Sequence, residues 1–260
     1  MSRAIAALER GLEVRLLRRT SREVAPTAAG ERVLQRARRL LTDVEELVRD
    51  AGGGSGTVRI GHAWAAMGVH TVEFQHQWAR RHPEVELHLV RTNSPTGGLA
   101  ERACDIAVVR TAEDNPVIVD PRFSNKLIGL EGRYCAAATD HPLARRPQLR
   151  LADLADYVLA VDPRTGTTTQ DLWPTDHRPT VEVIHELDDW LDVIAAGRCI
   201  GVTAESTTTQ YRRHGIIFRR LRDAPPVAVR LLWWRDDAHP ATSEIVGLLT
   251  ELYQAPAKSR

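Results

Sequence analysis

Apolar residues between positions 33 and 48 keep a repeating register. Val33, Ala37, Leu40, Val44 and Leu47 follow one another at steps of four, three, four and three, and Leu34, Leu41 and Val48 widen the stripe. Such steps lay one apolar seam along a helix, as on a coiled-coil face. Thr27 is suited to cap its start, with Gly30 and Glu31 in the first turn, and Gly52-Gly53-Gly54-Ser55-Gly56 ends it after about Asp50. A single helix followed by a glycine linker cannot bury such a seam by itself. It packs on its own domains or pairs with a second copy, and a homodimer joined through Val33, Ala37, Leu40, Leu41, Val44 and Leu47 is the expectation.

Beyond the linker the pattern changes to strands alternating with helices. Thr57-Val58-Arg59-Ile60-Gly61 reads as a strand, a helix follows from about Ala66 to Arg81, and Val85-Glu86-Leu87-His88-Leu89-Val90 is the next strand. A short helix from Leu99 to Ala103 precedes a strand at Asp105 to Arg110, and Tyr157 to Val161 is a further strand. Strands joined through helices predict an α/β fold with a mostly parallel sheet and right-handed crossovers.

Ligands of such sheets lodge beyond the carboxyl ends of the strands, where helix N-termini offer free amides. Asp162 to Thr169 lies between a strand and a helix, so Thr165, Thr167 and Thr168 with the Gly166 amide can hold a carboxylate or a similar acceptor-rich ligand. Plain helix capping is the alternative. At the exit of the first strand, Trp64 offers an aromatic contact and His62 a polar handle, unless Trp64 only anchors the core. Arg110 can pair with an anionic ligand or with Asp105 or another nearby acid. Thr203, closing a later strand, is a further candidate.

The first 22 residues hold six arginines against two glutamates, although the whole chain carries a net charge of only +1. Arg15, Arg18, Arg19 and Arg22 crowd a segment that alternates poorly as a helix and turns at Thr20-Ser21, so it reads as a hairpin with cations on one edge. Such an edge neutralises phosphates and makes binding salt-dependent. Leu8-Glu9, the Leu12-Glu13 turn, the arginine-bearing hairpin, Thr27-Ala28-Ala29-Gly30 and the long helix together resemble the later half of the winged helix-turn-helix of LysR-type transcriptional regulators. Gly132 to Ala138, His141-Pro142-Leu143-Ala144 and Leu151-Ala152-Asp153-Leu154 resemble the middle of that family's effector domain. Val193 to Val202 resembles its helix-turn-strand return, so the likeness runs from Ser2 to about Tyr253.

The resemblance implies a remnant of the winged helix-turn-helix over 1–26, a dimerisation helix over 27–51, a glycine hinge over 52–56 and an effector domain over 57–254. That domain would be two-lobed and of the periplasmic-binding-protein type (type 2), with lobe I about 57–112 and 213–254 and lobe II about 113–212. It implies operator DNA as a partner, met by Ser2, Arg3, Arg18, Arg19 and Arg22. A small-molecule effector would lie between the lobes at His62, Trp64, Arg110, Thr165 to Thr168 and Thr203. It also implies a homodimer and, through the second domain, a tetramer. Two departures matter. Glu13 stands where the family has a turn glycine, and only Ser2 to Glu9 represents the recognition helix, so DNA binding is expected to be weak or lost in this chain. A start codon assigned too far downstream accounts for this, with a real truncation as the alternative.

Composition adds mainly exclusions. At 260 residues with 43% hydrophobic and 27% charged positions, the chain has the make-up of an ordinary globular protein. It has no apolar run long enough for a membrane span and no signal-peptide pattern at its start, which predicts a cytoplasmic protein. Cys104, Cys135 and Cys199 are isolated and read as small buried apolar residues, with no metal or cofactor implied. Glu186, Asp188, Asp189 and Asp192 read as the polar face of an amphipathic helix. No catalytic motif is present, so an enzyme on the two-lobed scaffold is the least favoured reading, behind a regulator and a DNA-binding-deficient sensor.

Overall fold

The computed structural model describes residues 3–19, 24–51, 56–111, 120–164 and 167–255. Ser2, Arg22, Thr165 and Gly166 lie outside the described residues, as do the side chains of Arg3, Arg19 and Leu47. The chain divides into two units, residues 1–54 and 55–260.

In the first unit, helix α1 (Arg3–Leu12) leads into a two-stranded hairpin, β1 (Leu17–Arg19) and β2 (Val24–Pro26), and then helix α2 (Ala28–Ala51). The strands pair antiparallel with Leu17 opposite Pro26 and Arg18 opposite Ala25. The α1 C-terminus closes with the Glu13 amide on the Arg10 carbonyl (3.3 Å) and the Val14 amide on the Glu9 carbonyl (3.2 Å). That is a Schellman motif, and Glu13 occupies its left-handed position with φ of 51°. The Glu9 carboxylate then accepts the Leu16 and Leu17 amides at 2.7 and 3.0 Å, tying the helix to the hairpin. Thr27 caps α2 through its hydroxyl, which accepts from the Gly30 amide at 3.0 Å. Gly30 is required by close approach, since a Cβ there would lie 2.0 Å from the Leu16 carbonyl oxygen.

The second unit is built on two five-stranded sheets. Strands β3 (Thr57–His62), β4 (Glu86–Arg91), β5 (Ile106–Thr111), β6 (Phe123–Glu131) and β12 (Val227–Trp234) form the first, in the order β4-β3-β5-β12-β6. Strands β7 (Arg133–Ala138), β8 (Val158–Val161), β9 (Thr180–Val183), β10 (Ile200–Ala204) and β11 (Ile216–Arg220) form the second, in the order β11-β7-β10-β8-β9. In each sheet three strands run parallel, β4-β3-β5 and β10-β8-β9, and the remaining two join antiparallel. Helices α3 (Thr71–Arg81) and α6 (Thr242–Gln254) cover the first sheet through Phe74, Trp78, Ile245, Leu248 and Leu249. Helix α4 (Leu187–Ala195) covers the second through Leu187, Trp190, Leu191 and Ile194, while Asp188, Asp189 and Asp192 are exposed. Helix α5 (Glu205–Gln210) follows β10 directly. All three cysteines are buried.

Three expectations need correction. The lobe boundaries shift, because β6 pairs with β12 along its length and β11 pairs with β7. The chain therefore passes between sheets at Gly132 and again between residues 221 and 226, not near 112 and 213. The helix expected from Ala66 starts only at Thr71, after a 3-10 turn over Gly68–His70, since Ala65, Ala66 and Gly68 take φ of 57°, 35° and 59°. Left-handed residues cannot continue a right-handed helix. Residues 99–103 form turns rather than a helix, with φ of 57° at Arg102 after 62° and 95° at Gly97 and Gly98.

Candidate functional site

The carboxyl ends of β3 and β5 in the first sheet face the ends of β8 and β10 in the second, and a cavity of about 40 Å³ lies between them. Its walls include Trp64, Ser94 and Arg110 from the first sheet and Thr167, Thr203 and Thr207 from the second. A second cavity of about 20 Å³ adjoins it and shares Trp64, Thr167 and Thr203, with Thr168 and Trp190 added.

Trp64 is carried by the left-handed turn that leaves β3. Its indole meets Trp190 edge-to-face, with ring centroids 5.5 Å apart. Trp190 is held in turn by its indole N–H on the Ala160 carbonyl (2.9 Å). It lies over Gly201, where a Cβ would come within 2.1 Å of the ring. Glycine at 201 thus makes room for the aromatic floor that Trp64 rests on.

Arg110 organises the same turn. Its Nη1 donates to the Trp64 and Ala66 carbonyls at 3.1 and 2.8 Å, fixing a backbone whose left-handed alanines cost roughly 1–2 kcal/mol each. Its Nη2 and Nε bind the Glu131 carboxylate at 2.8 and 3.1 Å, and both side chains are buried. Burial pushes the Glu131 carboxyl up, but the Arg110 charge and the bonds from Arg110 and Ser206 outweigh it and hold it below its ordinary value. Arg110 therefore faces the cavity with its guanidinium already committed to Glu131 and two carbonyls. Asp105, the other acid considered, pairs with Arg59 at 2.9 Å.

Direct contacts also join the two lobes. Asn93, beyond β4, donates to the Glu186 carboxylate at 2.8 Å, and Gln210 of α5 donates to the Gly68 carbonyl at 2.7 Å. The Tyr211 hydroxyl accepts from the Ala65 amide at 3.3 Å.

Among the residues singled out from sequence, Trp64, Arg110, Thr167 and Thr203 meet at the main cavity. Thr168 lines the smaller one, but its hydroxyl donates to the Val202 carbonyl at 3.0 Å. The Thr203 hydroxyl is hydrogen-bonded to that of Thr207 at 2.7 Å. His62 is buried and lines neither cavity. Burial, with the Arg91 and Arg110 charges beside it, lowers its pKa from 6.5 to about 4, so the ring is neutral at physiological pH. Ser94 and Thr207 went unnoticed in the sequence. Asn93-Ser94-Pro95-Thr96-Gly97 is a turn signal directly after a strand, and the strand-exit rule applied to β4 would have found Ser94. In the first unit, Arg15 and Arg18 are exposed on the hairpin.

Comparison with known proteins adds three kinds of likeness. Residues 51–254 match the model of the LysR substrate binding domain, and residues 1–31 match that of the lysR-family bacterial regulatory helix-turn-helix protein. The small neutral protease regulatory protein of Streptomyces coelicolor is 30% identical over 250 residues, covering 89% of this chain and 71% of that protein. Two solved structures share the fold. The effector-binding domain of BenM with its effector benzoate has a TM-score of 0.62 at 19% identity, covering 76% of this chain and 91% of that one. Full-length CbnR complexed with its target DNA has a TM-score of 0.63 at 20% identity, covering 96% and 88%.

Proposed function

Because the chain belongs to the LysR family of transcriptional regulators, we propose a three-part working cycle for it. Its arginine-bearing hairpin meets operator DNA, α2 pairs with a second copy, and a small molecule entering the cleft between the lobes alters DNA affinity. The observation that carries this reading is the cavity where strand ends of two sheets converge, walled by residues of both. Its family relatives are named as regulators, and it is a regulator rather than an enzyme. The cytoplasm, where operator DNA is met, is the compartment this reading assigns, and tetramers through the effector domain are its further assembly.

The size of the cavity sets the mechanism. A space of about 40 Å³ holds on the order of three waters, so a ligand the size of an aromatic ring requires the lobes to part. Parting them breaks the Asn93–Glu186 and Gln210–Gly68 contacts and moves Trp64 off Trp190. Lobe separation is then the variable that effector binding changes.

Coupling between effector and DNA is typically worth about 1 to 3 kcal/mol, or roughly 5- to 150-fold in affinity, and must be reciprocal. The test takes DNA fragments selected from genomic DNA by the full chain at low salt, where the weak binding expected of it is strongest, and compounds found by thermal shift. Effector affinity measured with and without operator at one fixed salt concentration is expected to differ by the same factor as DNA affinity with and without effector. Equal affinities in both directions remove the mechanism.

A further inference from the structure

Four charged side chains are buried among the described residues of the second unit, Arg110, Glu131, Asp162 and Arg133. Three of them have a counter-ion. Glu131 is held by Arg110, and Asp162 is paired with Arg164 at 3.0 Å. Arg133 is only 1% exposed and has no carboxylate partner among the described residues. Its Nε donates to the Pro225 carbonyl at 2.8 Å and its Nη1 to the Thr167 carbonyl. Burial lowers its pKa only to about 10, which leaves the guanidinium charged at physiological pH. A buried charge without a counter-ion is unfavourable unless something else balances it.

The place of this charge is informative. Thr167 lines both cavities and Arg133 lines neither, so the cation stands behind the loop that walls the site. In a trans peptide the C=O and N–H point in opposite directions. With the Thr167 carbonyl turned onto Arg133, the Thr168 N–H of the same peptide points away from the cation, and both threonines line the smaller cavity. Cation and peptide dipole then act in one direction on this wall, where the Asp162 carboxylate of the smaller cavity is already paired with Arg164. The opposite wall has different character, because the Ser94 hydroxyl donates to the Glu101 carboxylate at 2.9 Å.

Resting on the reading of a ligand-responsive cleft, we infer that Arg133 is a specificity-determining residue that selects an anionic effector, a small carboxylate whose charged end lies against the Thr167–Thr168 peptide. Arg133 acts through that peptide and does not touch the ligand. It also stands at both crossings between the lobes. It follows Gly132, its carbonyl accepts the Leu221 amide at 2.9 Å, and its Nε holds Pro225. A charge engaged at Thr167 is thereby felt where the lobes hinge.

The test uses the full chain and a panel of small carboxylates, each paired with its neutral amide, benzoate with benzamide among them. Binding is read by tryptophan emission, to which Trp64 and Trp190 at the cleft contribute. The wild type is expected to prefer acids over their amides by about tenfold or more, as a unit charge a few ångströms from a cation in a partly shielded site gives. In Arg133→Met the preference falls to about twofold or less, while the fold, judged by circular dichroism, is kept. Arg133→Lys keeps the charge and loses the planar fork, so it lies between the two and serves if the methionine variant does not fold. Equal binding of acids and amides by the wild type, a preference that survives in both variants, or silence toward the whole panel overturns the inference. A DNA response confined to neutral compounds removes this inference and leaves the regulator reading standing. No DNA response to any compound removes that reading itself.

Discussion

At the scale of single residues, burial and buried partners together set the charge states of the groups around the cleft. His62 shows this most directly. Its pKa is depressed from 6.5 to about 4, so the folded protein resists a proton that the unfolded chain accepts. Its contribution to stability is complete above pH 6.5 and is lost as the pH falls from 6.5 toward 4. By about pH 5 the loss from this one ring is roughly 2 kcal/mol. Urea unfolding of the wild type and of His62→Gln at about pH 7.5 and about pH 5 measures it. The variant is expected to lose about 2 kcal/mol less than the wild type over that interval, and equal losses would show that the ring is not protected from protonation. Arg110 and Glu131 differ in kind, since each stabilises the charge of the other and removing one leaves a buried ion unmatched, at a typical cost of about 3–5 kcal/mol.

At the scale of elements, chain direction is decided by left-handed residues at element ends. Glu13 ends α1 in a Schellman motif at φ of 51°, a conformation that glycine adopts without steric penalty. Glu13→Gly is therefore expected to stabilise the first unit by about 1 kcal/mol, read as slower amide exchange across α1 and the hairpin. Unchanged or faster exchange there would mean that the glutamate side chain supplies a compensating contact. Ala65 and Ala66 play the same part after β3, where two consecutive left-handed residues turn Trp64 toward the second sheet and delay the helix to Thr71. Here the strain is opposed by Arg110, whose hydrogen bonds to the Trp64 and Ala66 carbonyls need that turn geometry.

At the scale of the whole molecule, two surfaces call for a partner. Along α2, Leu40, Leu41 and Val44 are 64%, 63% and 56% exposed. Fully burying a residue of this size is worth about 1.5–3 kcal/mol, so a mutual seam supplies enough for a stable dimer. Leu40→Asp combined with Val44→Asp is expected to sediment as a monomer at micromolar concentration where the wild type sediments as a dimer. A dimer that persists in the double variant would place the interface away from α2. The second surface is the cleft, where an entering ligand would replace the contacts that Asn93, Gln210 and Trp64 make across the lobes.

The sequence by itself determined the parts that depend on neighbours close along the chain. The step pattern from Val33 to Leu47 and the capping position of Thr27 were sufficient for α2, because a helix is decided by residues three and four apart and by its first turn. Strands β3, β4, β5 and β8 were legible as apolar runs bounded by turn residues, and with them the strand exits that carry Trp64, Arg110 and Thr167. Only the tertiary structure decided which sheet β6 and β11 join, since an antiparallel edge strand has no pattern that names its partner. It also decided that Arg110 answers Glu131 rather than Asp105, that Trp64 rests on Trp190, and that Arg133 is buried behind Thr167. These pairings join residues from 21 to more than a hundred positions apart, and they depend on packing that no local pattern encodes.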